Sequence, residues 1–178
     1  MVLGTADIAF LPGRRDDLQD LDHALTDLFA VPVRTRELRR GLPAIAQAEE
    51  FSKTPEEPEV GVLVTAGAPA TGCLLLLLRP QDARRVGDLL GEGDAPQERL
   101  LDACREVGMI VAARYLAALE RFAAPAGVPA PPVSTVDMQA AIVESTAALA
   151  GASAKASLFE IRVEASGAPI LMHLLVFV

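Results

Sequence analysis

Two carboxylates one helical turn apart, Asp102 and Glu106, are the first residues of this 178-residue chain whose spacing suits chemistry. Such a pair can share acid and base roles, or it can be an ordinary solvated helix face, and composition favours the solvated face. The helix that carries them includes CREVGMIVAARYLAALERF, residues 104–122. At 100° per residue, Leu100, Cys104, Val107, Val111, Tyr115, Ala118 and Phe122 gather into one apolar stripe. Met109 falls on the other side with Asp102, Glu106, Ala113 and Glu120. A large apolar side chain is therefore expected to face solvent beside a carboxylate.

Other reactive arrangements are thin. There is no glycine-rich phosphate loop, no dinucleotide fingerprint after a strand and no GxSxG. Ser, His and Asp occur at spacings without the pattern of a nucleophile triad. Structural zinc takes about four ligands, against two cysteines and the isolated His23 and His173. Neither a metal nor a cofactor is expected. Cys73 and Cys104, each in an apolar segment, read as buried reduced thiols. The arginines of RTRELRR, residues 34–40, could hold a phosphate, but a solvated strand end or turn is the simpler expectation.

The elements that must position these residues follow from periodicity. Leu18, Leu21, Leu25 and Leu28 recur at helical spacing within residues 16–30, with Asp16 and Asp17 at the favourable end and Pro32 as the stop. PVRTREL is extended, and AEEFSKTPEEPE, residues 48–59, is an acidic loop. EVGVLVTA and TGCLLLLLRP form a buried hairpin across GAPA. A short helix follows, with Pro80 at its start and Gly91 at its end. The long helix spans about residues 97–124, before Pro125 and Gly127. VPAPPVSTVDM is extended, MQAAIVESTAALAGA is a weaker helix, and ASLFEIRVEA with APILMHLLVFV forms a second hairpin. The hairpins share a turn chemistry, VTAGAP at 64–69 and VEASGAP at 163–169, which suggests an internal duplication about a pseudo-twofold axis. The expectation is a single α+β domain over residues 1–178, an antiparallel β-sheet packed with two long helices, with pseudo-repeats at about 14–92 and 96–178.

About half the residues are apolar and Trp is absent, so the core must be aliphatic with Phe as the main large filler. A formal charge of −8 argues against nonspecific binding to nucleic acid or anionic lipid. The aliphatic run CLLLLL is too short for a bilayer span, and MVLGTADIAFLPGRR lacks the marks of a signal peptide. A soluble, cytoplasmic protein is expected. The apolar end, ILMHLLVFV, is either a central strand or an edge paired across a homodimer.

Residues 104–142, CREVGMIVAARYLAALERFAAPAGVPAPPVSTVDMQAAI, resemble the second half of CheC-type chemotaxis phosphatases, a family that also takes in CheX and the middle domain of the flagellar switch protein FliM. The matching pieces are Glu106, Gly108 and Ile110 for a stretch like ExGNI, Tyr115, Leu116, Ala118 and Leu119 for the helix, Pro131 and Pro132, then Asp137 and Met138. The resemblance implies an exposed helix that docks on a receiver domain such as CheY and hydrolyses its aspartyl phosphate, with Mg²⁺ supplied by the receiver. A Glu on that helix pairs with a receiver lysine, and an Asn three residues later positions water. Glu106 fills the first position and Met109 the second. A thioether is a weak acceptor with no donor, so it cannot hold water as an amide can. The expected rate penalty is roughly 10² to 10³ or more.

A second copy of the motif, on the first helix, would fall near Pro12 and Arg15, where neither residue type fits. The leading expectation is thus a receiver-binding protein with impaired or absent phosphatase activity. Its contact residues would be Glu106, Met109, Asp102 and Ala113, with Met109, Ala112, Ala113 and Ala117 forming a small apolar patch. Alternatively Met109 is covered within the molecule, for instance by MVLGTADIAF. Two other readings stay open. One is an active phosphatase whose water is held by Gln139 or Arg105, and the other is an assembly protein like the FliM middle domain.

Overall fold

The computed structural model describes residues 15–44, 46, 50, 58–66, 72–92, 95–120, 128–151 and 153–177. Helix α1 (Arg15–Phe29) presents Leu21, Leu25 and Phe29 to the core, the face its leucine spacing dictates. Ala30 ends it in a left-handed conformation, and the Val33 amide donates to Thr26 Oγ1 at 3.1 Å, turning the chain into β1 (Val33–Pro43). β1 carries the arginine cluster as a solvated edge strand. Arg36 pairs with Glu160 at 2.9 Å, Arg40 pairs with Glu37, and bulges follow Glu37 and Arg39. Charge and bulges are features that blunt an edge strand against pairing with another chain. The acidic segment 48–59 and the GAPA turn, 67–70, fall largely or wholly outside the described residues.

β2 (Pro58–Ala66) and β3 (Gly72–Leu78) form the first hairpin. Helix α2 (Pro80–Leu89) starts on its proline and closes with Gly91 in the left-handed region. There the Glu92 amide reaches Gly87 O at 2.7 Å and the Gly91 amide reaches Asp88 O at 3.2 Å, the paired bonds of a Schellman ending. The long helix α3 (Gln97–Glu120) leads to β4 (Val133–Met138), α4 (Gln139–Ala150), β5 (Lys155–Val163) and β6 (Ile170–Phe177).

All six strands join one antiparallel sheet in the order β1-β5-β6-β3-β2-β4. Exchanging β1 with β4, β2 with β5 and β3 with β6 reverses that order onto itself, as a twofold between β3 and β6 requires. The apolar C-terminal strand is therefore central, flanked by β5 and β3, and not an edge paired across a dimer.

Because strand side chains alternate, the sheet builds two cores. On one face α1, α2 and α3 cover Val60, Val62, Leu74, Leu76, Ile161 and Met172. On the other α4 covers Cys73, Leu75, Leu77, Leu175 and Phe177. The long helix thus lies on the sheet with its outer side free.

Candidate partner-binding face on the long helix

α3 is buried over a wider arc than a single stripe. Cys104, Val107, Val111, Tyr115 and Ala118 are buried as their spacing requires, and so are Ala103, Gly108, Ala112 and Leu116. Gly108 explains the closeness of the contact, since a Cβ there would lie 2.7 Å from Val62 Cγ1 on β2. Phe122 lies outside the described residues.

The outer side that remains exposes Asp102, Glu106, Ala113, Arg114 and Ala117. Glu106 is where the sequence places it. Met109 is not fully solvent-facing, because it is half-buried and packs against the core beside α3. Ala112 is fully buried and drops out of the expected apolar patch, leaving Ala113 and Ala117 in it. The physical reason is that α3 is the middle helix of its layer, so its flanks pack on neighbours as well as on the sheet.

Along one margin of this face runs a polar seam. Arg105 donates from Nε to Ser134 Oγ at 2.9 Å and forms an ion pair with Asp102, tying α3 to β4. As a guanidinium with donors only, Arg105 cannot orient water as an acceptor. Gln139 lies at the start of α4, where its amide donates to Glu59 Oε1 at 3.1 Å. α4 covers the opposite face of the sheet, so Gln139 is held away from Glu106. The side chains of both residues are thus engaged within the molecule, Arg105 with Ser134 and Asp102 and Gln139 with Glu59. No sequence signal points to Ser134, because the pairing of β4 alongside α3 depends on sheet order and not on local pattern.

On the other flank, Tyr115 is buried with its hydroxyl unpartnered among the described residues, and burial pushes its phenol pKa upward. It faces a cavity of about 30 Å³ shared with Asp17, Thr35 and Arg114, room for a single water. On α1, Arg15 is the first described helical residue and Pro12 lies outside the described residues. The residues α1 exposes, Gln19, Asp20, His23 and Asp27, include no Glu followed three residues later by Asn.

The thiols and imidazole are dispersed. Cys104 belongs to the core under α3 and Cys73 to the core under α4. His173 on β6 stands opposite Glu160 on β5. Among the described residues no helix is long and apolar enough to cross a membrane.

No protein family's sequence model matches the chain, and no curated protein matches it significantly. Its fold does match solved structures. FliY of Thermotoga maritima superposes with a TM-score of 0.65 at 14% identity, covering 98% of this chain and 91% of that one. The FliM middle domain of Vibro alginolyticus gives 0.57 at 9% identity over 97% and 92%. A chain of the CheX–CheY–BeF3–Mg²⁺ complex from Borrelia burgdorferi gives 0.53 at 13% identity over 90% and 94%. The α+β fold anticipated from residues 104–142, that of CheC, CheX and the FliM middle domain, is the fold this chain has.

Proposed function

We propose that the protein is a CheC-like signalling protein that binds the receiver domain of a response regulator through the outer face of α3, and that it hydrolyses the receiver's aspartyl phosphate poorly or not at all. The observation that carries this reading is Glu106, exposed on α3 with Met109 three residues on. An exposed acid can pair with a receiver lysine, whereas the thioether beside it cannot hold an attacking water between two groups. Any Mg²⁺ in such a complex belongs to the receiver. The solved CheX–CheY complex is a relative in fold that pairs the two kinds of chain.

The binding test is titration of a receiver domain against wild type and Glu106→Arg. The charge reversal is expected to weaken binding about tenfold or more. Equal affinity would exclude Glu106 from the contact.

A second reading, an assembly protein like the FliM middle domain, is favoured by Val133 and Leu149, large apolar residues left 63% and 62% exposed on β4 and α4. It predicts a larger species on a sizing column and capture of motor components, with no receiver bound.

A further inference from the structure

The helical layer stops short of the sheet's edge. Val136 on β4 stays 42% exposed while Val60, its partner on β2, is buried. Between them, α2 and the first turns of α3 lies a cleft of about 380 Å³, lined by Val60, Ala83, Leu100, Leu101, Val136 and Arg84 among others. We propose that this cleft is a second anchor point for the same partner: it takes an aliphatic side chain of the receiver domain, with a neighbouring receiver carboxylate against Arg84. The proposal rests on the reading that the outer face of α3 binds a receiver.

Continuity is the first argument. Leu101 lies four residues before Arg105, in the same row and about 6 Å along the helix axis. Val136 lies two residues beyond Ser134 on the same side of β4, about 7 Å away. The bond from Arg105 to Ser134, at 2.9 Å, therefore separates the Glu106 face from the cleft by one turn of helix. A globular partner seated on Glu106 meets the cleft at the edge of its footprint.

Charge is the second argument. Asp82 is buried and takes both neighbouring arginines, Arg79 at 2.7 Å and Arg85 at 3.8 Å. Arg85 also donates to the carbonyls of Ser166, Ala168 and Pro169, fastening α2 to the β5–β6 turn. Arg84 has no such role: it is exposed and makes no hydrogen bond or ion pair among the described residues. In a chain of formal charge −8, a free guanidinium beside an apolar cleft suits a carboxylate from outside. The occupant is a protein segment and not a small molecule, because one wall is a sheet edge and Arg84 is the single charged group lining the cleft among the described residues. Small-molecule sites enclose most of their ligand and converge several polar groups on it. An apolar anchor seated in a pocket with a charge at its side is the usual form of a binding hot spot.

The test titrates each CheY-like receiver domain encoded in the source genome, loaded with Mg²⁺ and beryllofluoride, into wild type and four variants. Val136→Asp and Arg84→Glu are each expected to weaken binding about tenfold. Ser145→Asp, exposed on α4 on the far side of the sheet, is expected to bind as wild type, and Glu106→Arg reports on the α3 face itself. Thermal melts check folding, and Arg84→Glu, on the outside of α2, keeps the test decisive should Val136→Asp disturb the edge strand. Loss with Glu106→Arg but wild-type binding by both cleft variants would overturn the second anchor and leave the α3 reading standing. Equal loss with Ser145→Asp would also overturn it, since the effect would not be local. If no receiver binds the wild type, the α3 reading fails and the second anchor fails with it.

Discussion

Cys73 and Cys104 sit in the two separate cores, and burial pushes both thiols up to about 11. At about pH 8 roughly one thiol in a thousand is then ionised, and the thiolate is the reactive form. A thiol reagent such as Ellman's is expected to leave the native protein nearly unlabelled for minutes and to label two thiols at once in denaturant. Rapid labelling of either one in the native state would contradict its burial. Met109 poses the sharper residue question. Its chemistry, not its exposure, removes it from water positioning, because a sulfur with no donor cannot replace an amide wherever it points. Its identity was legible in the sequence. Its half-buried setting was not, because a helical wheel assigns one buried face and α3 is packed on more than one side.

Gly108 shows why the element scale matters. It lies within the short motif between Glu106 and Met109 and lets α3 approach β2, where a Cβ would meet Val62 Cγ1 at 2.7 Å. On the other face of the same strand, a Cβ at Gly61 would meet Ile142 Cγ2 at 2.8 Å, so β2 is gripped from both sides. Alanine at position 108 improves helix propensity by about 1 kcal/mol but overpacks a rigid β-branched neighbour by about 1–3 kcal/mol. Gly108→Ala is therefore expected to lose up to about 2 kcal/mol in a denaturant melt; a stabilised variant would mean that α3 rides higher on the sheet. The elements themselves were readable, since leucine spacing, Pro80, Gly91 and the two hairpins all fall where the chain folds. What local pattern could not supply was the strand order, which puts β6 in the centre and β4 on the edge beside α3. The Arg105–Ser134 seam and the cleft past it depend on that order, so neither was foreseeable from residues 97–138 alone.

At the scale of the whole molecule, stability should carry the mark of one histidine. Burial lowers the pKa of His173, with Glu160 opposing and Arg79 reinforcing the shift. The unfolded chain, with a histidine pKa of about 6.5, then binds the proton more readily than the folded one. The stability this residue contributes is full above about 6.5 and is lost as pH falls from there toward its folded value. Melting temperature is expected to drop between about pH 7.5 and pH 5.5, and His173→Gln should flatten that part of the slope; an unchanged slope would assign the dependence elsewhere. The two layers of helices on one sheet leave the outer side of α3 as the surface on which the functional account stands. Its most direct test is loss of phosphate from a phosphorylated receiver domain that binds the protein, followed with wild type and with Met109→Asn. The account predicts that wild type leaves the receiver's own decay within a few-fold of its unassisted rate, while the asparagine variant speeds it by about tenfold or more. Wild type that dephosphorylates the receiver as fast as Met109→Asn would contradict it.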